Sequence, residues 1–103
     1  MSTTGGRQRR NCRTKNYRDL LKKIPESIKV LAKQAFAVFL RNPRDPSLHN
    51  HELEDSGKGR HRNGSRAVYI NLRYRAIYVE DGDVNVWYWV GSHEDYNDFT
   101  GGK

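Results

Sequence analysis

Four histidines, His49, His51, His61 and His93, stand out in a chain with a single cysteine, Cys12. An imidazole titrates near neutrality and can give or take a proton. His93 follows Gly91-Ser92 at the end of the apolar stretch VNVWYWV. It reads either as an acid–base group or as a residue that closes the strand end by a local hydrogen bond. Arg75 lies in YRAIY. Its guanidinium can fork onto two phosphate oxygens and never loses its charge. The plainer alternative is a solvent-facing strand arginine paired with Glu80. His49-Asn50-His51 brings two imidazoles close in sequence, but without a third ligand they make a poor metal site. No metal or other cofactor is expected. One cysteine excludes an internal disulfide and a thiolate zinc site, and a reducing, cytoplasmic location is the default expectation.

The charges are unevenly placed. Residues 1–23 hold eight Lys or Arg against one Asp, which accounts for the whole net charge of +7, whereas residues 24–103 hold eleven of each sign. Within that neutral remainder, Gly57 to Arg75 has six basic and no acidic residues, and Glu80 to Asp98 has six acidic and no basic ones. A basic arm together with a basic loop and strand fits a polyanionic partner, nucleic acid foremost. Lys58, Arg60, Arg62, Arg66 and Arg73 are the candidates for contact with phosphates, which position a nucleic acid without reading it. A solvated loop is the alternative. No apolar run approaches the ~18 residues of a membrane span.

These residues need a scaffold, and 103 residues suffice for one domain. MSTTGGRQRRNCR has almost nothing to bury, so residues 1–13 are read as a flexible basic arm and residues 14–103 as the domain. Leu20, Leu21 and Ile24 give a short helix near 16–23 its inner side. After Pro25, Ile28, Leu31, Ala32, Ala35, Phe36, Phe39 and Leu40 recur at helical spacing up to Asn42-Pro43. A short strand is expected over 49–53. Then comes the flexible glycine-rich stretch SGKGRHRNGS. Strands follow over Val68–Leu72, Tyr74–Val79 and Val84–Val90, the last two joined by an Asp81-Gly82 turn. VNVWYWV is apolar on both faces and should be central in the sheet. Trp87 and Trp89, two apart, are both expected to pack under the helices, with service as stacking platforms the alternative. Helices followed by strands give an α+β fold in which an N-terminal helix pair covers one face of a curved antiparallel sheet.

IPESIKVLAKQAFAVFLRNPRDPSL followed by RYRAIYVEDGDVNVWYWVGSHEDYNDF resembles the RelE/ParE superfamily of toxins from bacterial type II toxin–antitoxin pairs. The similarity spans about residues 15–99, with NPRDPSL, YRAIY and VWYWVGSHEDY its most specific pieces. It implies a RelE-like two-layer fold whose concave face meets nucleic acid. It also implies a cognate antitoxin partner and one of two targets. The first is mRNA, cleaved by a metal-independent endoribonuclease at the ribosome; the second is DNA gyrase, inhibited without nuclease activity. A non-toxic nucleic-acid-binding relative is the third possibility. By the resemblance, Arg75 matches the arginine that faces the scissile phosphate. His93 occupies a catalytic position held by Arg or His. His51 matches a histidine that serves some members as general base. Tyr96, with Phe99 as its rival, matches a C-terminal aromatic that stacks on a base, a contact worth about 1–3 kcal/mol. The chain departs from the family where several active members have basic residues on the strand before YR. Here Tyr69 and Asn71 stand instead.

Overall fold

A computed structural model describes residues 9–55 and 58–101. Its elements run β1 (Arg10–Arg13), α1 (Lys15–Lys22), α2 (Glu26–Arg41), a 3-10 turn (Pro46–Leu48), β2 (His51–Glu52), β3 (Ser65–Tyr69), β4 (Tyr74–Asp81), β5 (Val84–Ser92) and α3 (His93–Phe99). The sheet order is β1-β5-β4-β3-β2. The pairs from β2 to β5 are antiparallel, but β1 runs parallel to β5, so the expected antiparallel sheet is a mixed one.

Thr14 starts α1 by accepting a hydrogen bond from the Tyr17 backbone N–H, filling one of the donors a helix start leaves unpaired. Pro25 sets the joint, since a residue before proline is disfavoured in the helical region. α2 then runs unbroken to Arg41, as its periodicity suggests. Its apolar stripe is only partly covered. Phe39 is buried with its ring edge-on to Tyr78 and Trp87, while Val30, Phe36 and Leu40 remain exposed.

The first correction concerns the arm. Arg10–Arg13, expected to be flexible, forms β1 and pairs residue by residue with Val84 to Trp87. Residues 1–8 lie outside the described residues. An edge strand needs few apolar side chains when its backbone is paired, and polar side chains add to the seam here. Asn11 Oδ1 accepts from Trp87 Nε1 at 2.9 Å and from Asn85 Nδ2 at 3.2 Å, and Arg9 Nε donates to Asn85 Oδ1 at 2.8 Å. Asn85 and Trp87 are both buried. Asn11→Ala leaves their donors without a partner, which is expected to cost about 1–3 kcal/mol. A denaturant melt unchanged by that substitution would show that β1 adds nothing to the fold.

The second correction concerns the tryptophans. β4 and β5 slip register, with Ile77 opposite Trp89 but Tyr78 opposite Trp87, so Tyr88 is an extra residue. The bulge reverses the alternation of side chains. Trp87 lies beneath the helices with Tyr17, Phe36 and Phe39. Trp89 packs in a second cluster with Ile77, Val79 and Tyr88, and stacks on Phe99 of α3 at 5.1 Å. Gly91 is required beside it, because a Cβ there would come within 2.7 Å of the Trp89 ring.

Two segment expectations also change. β3 ends at Tyr69, and residues 70–73 form the turn into β4 with Ile70 N–H donating to Tyr74 O at 3.0 Å. The glycine-rich loop is tied down where it is described. Arg60 N–H donates to Phe99 O at 2.7 Å, and a Cβ on Gly59 would meet the Thr100 backbone at 2.5 Å.

Candidate functional site

Alternation along β3 and β4 places Tyr69 and Arg75 directly opposite each other. The face they share is the one turned away from α2, where Ile77 and Trp89 also lie. The Arg75 guanidinium carbon sits 3.6 Å from the Tyr69 ring centre and 5.8 Å from that of Tyr96. On its far side Tyr69 stacks against His49 at 4.3 Å. Imidazole, phenol, guanidinium and phenol thus follow one another in a column.

Arg75 is only 5% exposed. Its Nη1 donates to the carbonyls of Asn71 and Leu72, each at 2.9 Å, and to Tyr74 O at 3.4 Å. The turn is shaped to present those carbonyls, because Asn71 Oδ1 accepts from the backbone N–H groups of Arg73 and Tyr74. Arg75 therefore is not the solvent-facing partner of Glu80. Among the described residues no carboxylate pairs with it; carbonyl dipoles and two aromatic faces hold the charge instead. A buried cation without a counter-ion is costly unless held in this way.

His51 reaches the same cluster from the sheet edge. Its Nδ1 lies 2.7 Å from His49 O and its Nε2 lies 3.3 Å from the Tyr96 hydroxyl. A carbonyl can only accept, so the proton is on Nδ1. In the neutral imidazole the Nε2 lone pair then accepts from Tyr96. Burial pushes the Tyr96 hydroxyl above the ordinary tyrosine range, with the Arg75 charge acting in the opposite direction. The phenol therefore remains a donor near neutrality. Asn50, between the two histidines, points to the other side and anchors the segment. It donates to Pro43 O and to the Tyr78 hydroxyl, both at 3.0 Å, and accepts from Arg66 Nε at 2.8 Å.

Tyr17, buried under the helices, is raised in the same way by burial, with Arg13 opposing. The two shifts have one consequence. Above pH 10, the usual tyrosine value, the unfolded chain loses protons that the folded chain keeps. Stability is thus expected to be level below that pH and to fall as pH rises through the raised folded values. Urea melts between pH 8 and 11 measure this; a flat profile would mean that neither hydroxyl is desolvated.

The structure brings His51, Arg75 and Tyr96 together and leaves the other candidates around them. His93 is exposed at the first position of α3, its backbone N–H donating to Arg73 O. It lines an open hollow with Leu72, Arg73, Tyr74, Ser92 and Glu94. Tyr96 lies three residues on, a spacing that makes them neighbours on the helix surface, with Cβ atoms about 5–6 Å apart. Phe99, the rival of Tyr96, packs on Trp89 and Tyr88 instead. Arg60 pairs with Asp98 at 3.3 Å and lies over Phe99; Arg62 lies over Tyr88. Lys58 precedes them in the same loop, exposed. Arg66 is on the helix-covered face, bound to Asn50, and does not join Arg75. His61 Nε2 meets Glu54 O at 2.7 Å and stands apart from the cluster. Among the described residues, no group of three His, Cys, Asp or Glu side chains is placed to hold a metal ion.

Tyr69, His49 and Asn71 are site residues to which the sequence assigned no role in the chemistry, Tyr69 and Asn71 having stood out only as replacements of basic residues. Ending β3 at Tyr69 would have exposed them, since a turn over 70–73 sets Tyr69 opposite Arg75.

The ParE-like toxin domain family matches residues 49–98, the stretch that contains this cluster. The match covers just under half of the chain, and over that stretch the chain is similar to this toxin family. Solved structures of similar fold cover most of it. YafQ from E. coli strain BL21(DE3) has a TM-score of 0.67 at 16% identity, over 86% of this chain and 98% of that one. The RelBE2 toxin–antitoxin complex from Mycobacterium tuberculosis gives 0.62 at 20% identity, over 84% and 99%. The RelB–RelE antitoxin–toxin complex from Methanococcus jannaschii gives 0.58 at 16% identity, over 84% and 95%. No curated protein sequence matches. Among the described residues no helix is long and apolar enough to cross a membrane.

Proposed function

We propose that this chain is the toxin of a type II toxin–antitoxin pair and a metal-independent endoribonuclease acting on mRNA at the ribosome. The observation that carries the reading is the Tyr96–His51 hydrogen bond beside Arg75, a proton acceptor of fixed tautomer next to a permanent cation. RNA supplies its own nucleophile. When substrate displaces the Tyr96 hydroxyl from His51 Nε2, the freed lone pair takes the proton of a 2′-hydroxyl as that oxygen attacks the adjacent phosphorus. Arg75 stabilises the charge that grows on the phosphate, and Tyr96 holds the imidazole or stacks on a base. His93, at the rim, gives a proton to the departing 5′-oxygen. One P–O bond forms and one breaks, leaving a 2′,3′-cyclic phosphate and a 5′-hydroxyl. Lys58, Arg60, Arg62 and Arg73 serve the backbone phosphates on either side.

The antitoxin partner is proposed on the same footing. A groove of about 310 Å³ beside α2 is lined by Tyr17, Leu21, Val30, Phe36 and Trp87 and by Arg13, Lys29 and Lys33, with Glu26 paired to Lys29 at 3.5 Å. It suits the apolar face of an acidic segment that folds on binding. The second reading, inhibition of DNA gyrase without nuclease activity, is favoured by the burial of Arg75, which leaves little of the guanidinium open to a phosphate.

Two assays with the purified protein separate them. Cleavage of mRNA on programmed ribosomes, with gyrase supercoiling untouched, supports the ribonuclease. Blocked supercoiling with intact mRNA sinks it. Growth arrest on expression, relieved by a co-expressed neighbouring reading frame, tests the toxin–antitoxin assignment.

A further inference from the structure

Among the described residues, His49 is the one non-glycine with positive φ, at φ 48° and ψ 40°. A side chain in the left-handed region is strained by roughly 1–2 kcal/mol, although histidine is enriched there. Such strain persists when the surroundings over-determine it. Here they do so from both sides. The His49 N–H donates to Pro46 O at 3.2 Å, Asn50 is anchored to Pro43, Tyr78 and Arg66, and His51 is already paired in β2 with Ala67.

The strained residue touches both halves of the cluster. Its carbonyl takes the Nδ1 proton of His51 at 2.7 Å. Its ring lies on Tyr69 at 4.3 Å, with an interplanar angle of 29°, and the opposite side of the column is Arg75. We propose that His49 is a positioning residue that couples the two: its backbone fixes the tautomer of His51, and its ring holds Tyr69 against Arg75. A change of φ to the ordinary region would rotate the peptide plane and withdraw the carbonyl. Loss of the ring would free Tyr69 from one side. The inference rests on the ribonuclease reading for its consequence in catalysis, but not for the placement of the two groups.

Three substitutions separate the backbone from the ring. His49→Gly keeps the conformation and removes the ring; His49→Phe keeps a ring; His49→Ala keeps neither. Nitrogen-15 NMR of the His51 imidazole reports its tautomer. The ring-current shift of the Arg75 side chain reports the Tyr69 contact. The Nδ1–H form is expected in wild type and His49→Gly, whose backbones tolerate the left-handed region, and is depleted in His49→Phe and His49→Ala. The Arg75 shift is expected to survive only with a ring at 49. In RNA cleavage, His49→Ala should lower kcat by between about tenfold and 10²-fold with KM unchanged, since small misplacements can cost up to about 10²-fold. His49→Gly, which keeps the carbonyl in place, and His49→Phe, which keeps the ring on Tyr69, should each restore part of it. The inference is overturned if wild-type His51 carries its proton on Nε2, or if His49→Ala keeps both NMR signatures. Wild type that cleaves no RNA overturns the ribonuclease reading instead, and the two NMR signatures still decide whether His49 positions His51 and Arg75.

Discussion

Arg75→Ala is expected to lower RNA cleavage by roughly 10²–10³, the effect of removing about 2.7–4 kcal/mol of charge stabilisation in the transition state. The same change is expected to destabilise the fold. The Asn71 and Leu72 carbonyls lose their guanidinium donor, and the space beside the Tyr69 and Tyr96 rings is emptied. Hydrogen bonds to a charged group contribute about 1.5–3 kcal/mol, and each kcal/mol shifts Tm by about 4–8 °C in a domain of this size. From the sequence alone Arg75 belongs to no apolar stripe, and its loss looks harmless to folding. Burial reverses that expectation. The activity assay must therefore be run well below the variant's own melting point. Arg75→Lys is the companion test. It retains a cation but not the planar fork that lies on Tyr69, so activity should fall with less loss of Tm. An Arg75→Ala protein that is folded and fully active would remove Arg75 from the chemistry.

His51→Ala is expected to lower cleavage by roughly 10²–10⁴, the contribution of a positioned proton-transfer group. Stability should hardly change, because His51 is exposed and gives up two exposed hydrogen bonds, to His49 O and the Tyr96 hydroxyl. Tyr96→Phe separates two roles of its neighbour. It keeps the ring beside Arg75 and deletes the hydroxyl that donates to Nε2. A single neutral hydrogen bond is worth about 0.5–1.5 kcal/mol, so a fall of up to about tenfold is expected. If Tyr96→Phe matches wild type while Tyr96→Ala is impaired, stacking and not the hydroxyl is what Tyr96 supplies. If His51→Ala cleaves as wild type does, the general base lies elsewhere.

Periodicity made α2, β4 and β5 legible, because each buries a face whose apolar spacing is written in the chain. β1 was not legible for the opposite reason. Its RNCR segment buries no apolar face, and what holds it is backbone pairing with β5 plus the Asn11 and Arg9 bonds, none of which has a hydropathy signature. The bulge at Tyr88 likewise hides from alternation and sends Trp87 and Trp89 to opposite faces. α3 is too short and acidic to show a stripe, yet its start was written. Ser92 followed three residues later by Asp95 is a helix-capping pattern, and Ser92 Oγ accepts from the Asp95 N–H at 3.2 Å. In the site, Arg75, His51 and Tyr96 were found by residue type and family resemblance. Their mutual contacts required the register of β3 on β4 and the left-handed turn at His49, which come from tertiary packing.

The chemistry of the ends left on the RNA tests the ribonuclease reading most directly. Free RNA is incubated with the purified protein in EDTA, and ribosome-bound mRNA in magnesium buffer. The new 3′ ends are then mapped with and without phosphatase treatment that opens cyclic phosphates. The result expected is new 2′,3′-cyclic phosphate and 5′-hydroxyl ends with wild type, unaffected by EDTA wherever free RNA is cut, and absent with His51→Ala. The contradicting result is folded wild type that makes no such ends on either RNA, or makes 3′-hydroxyl ends that vanish in EDTA.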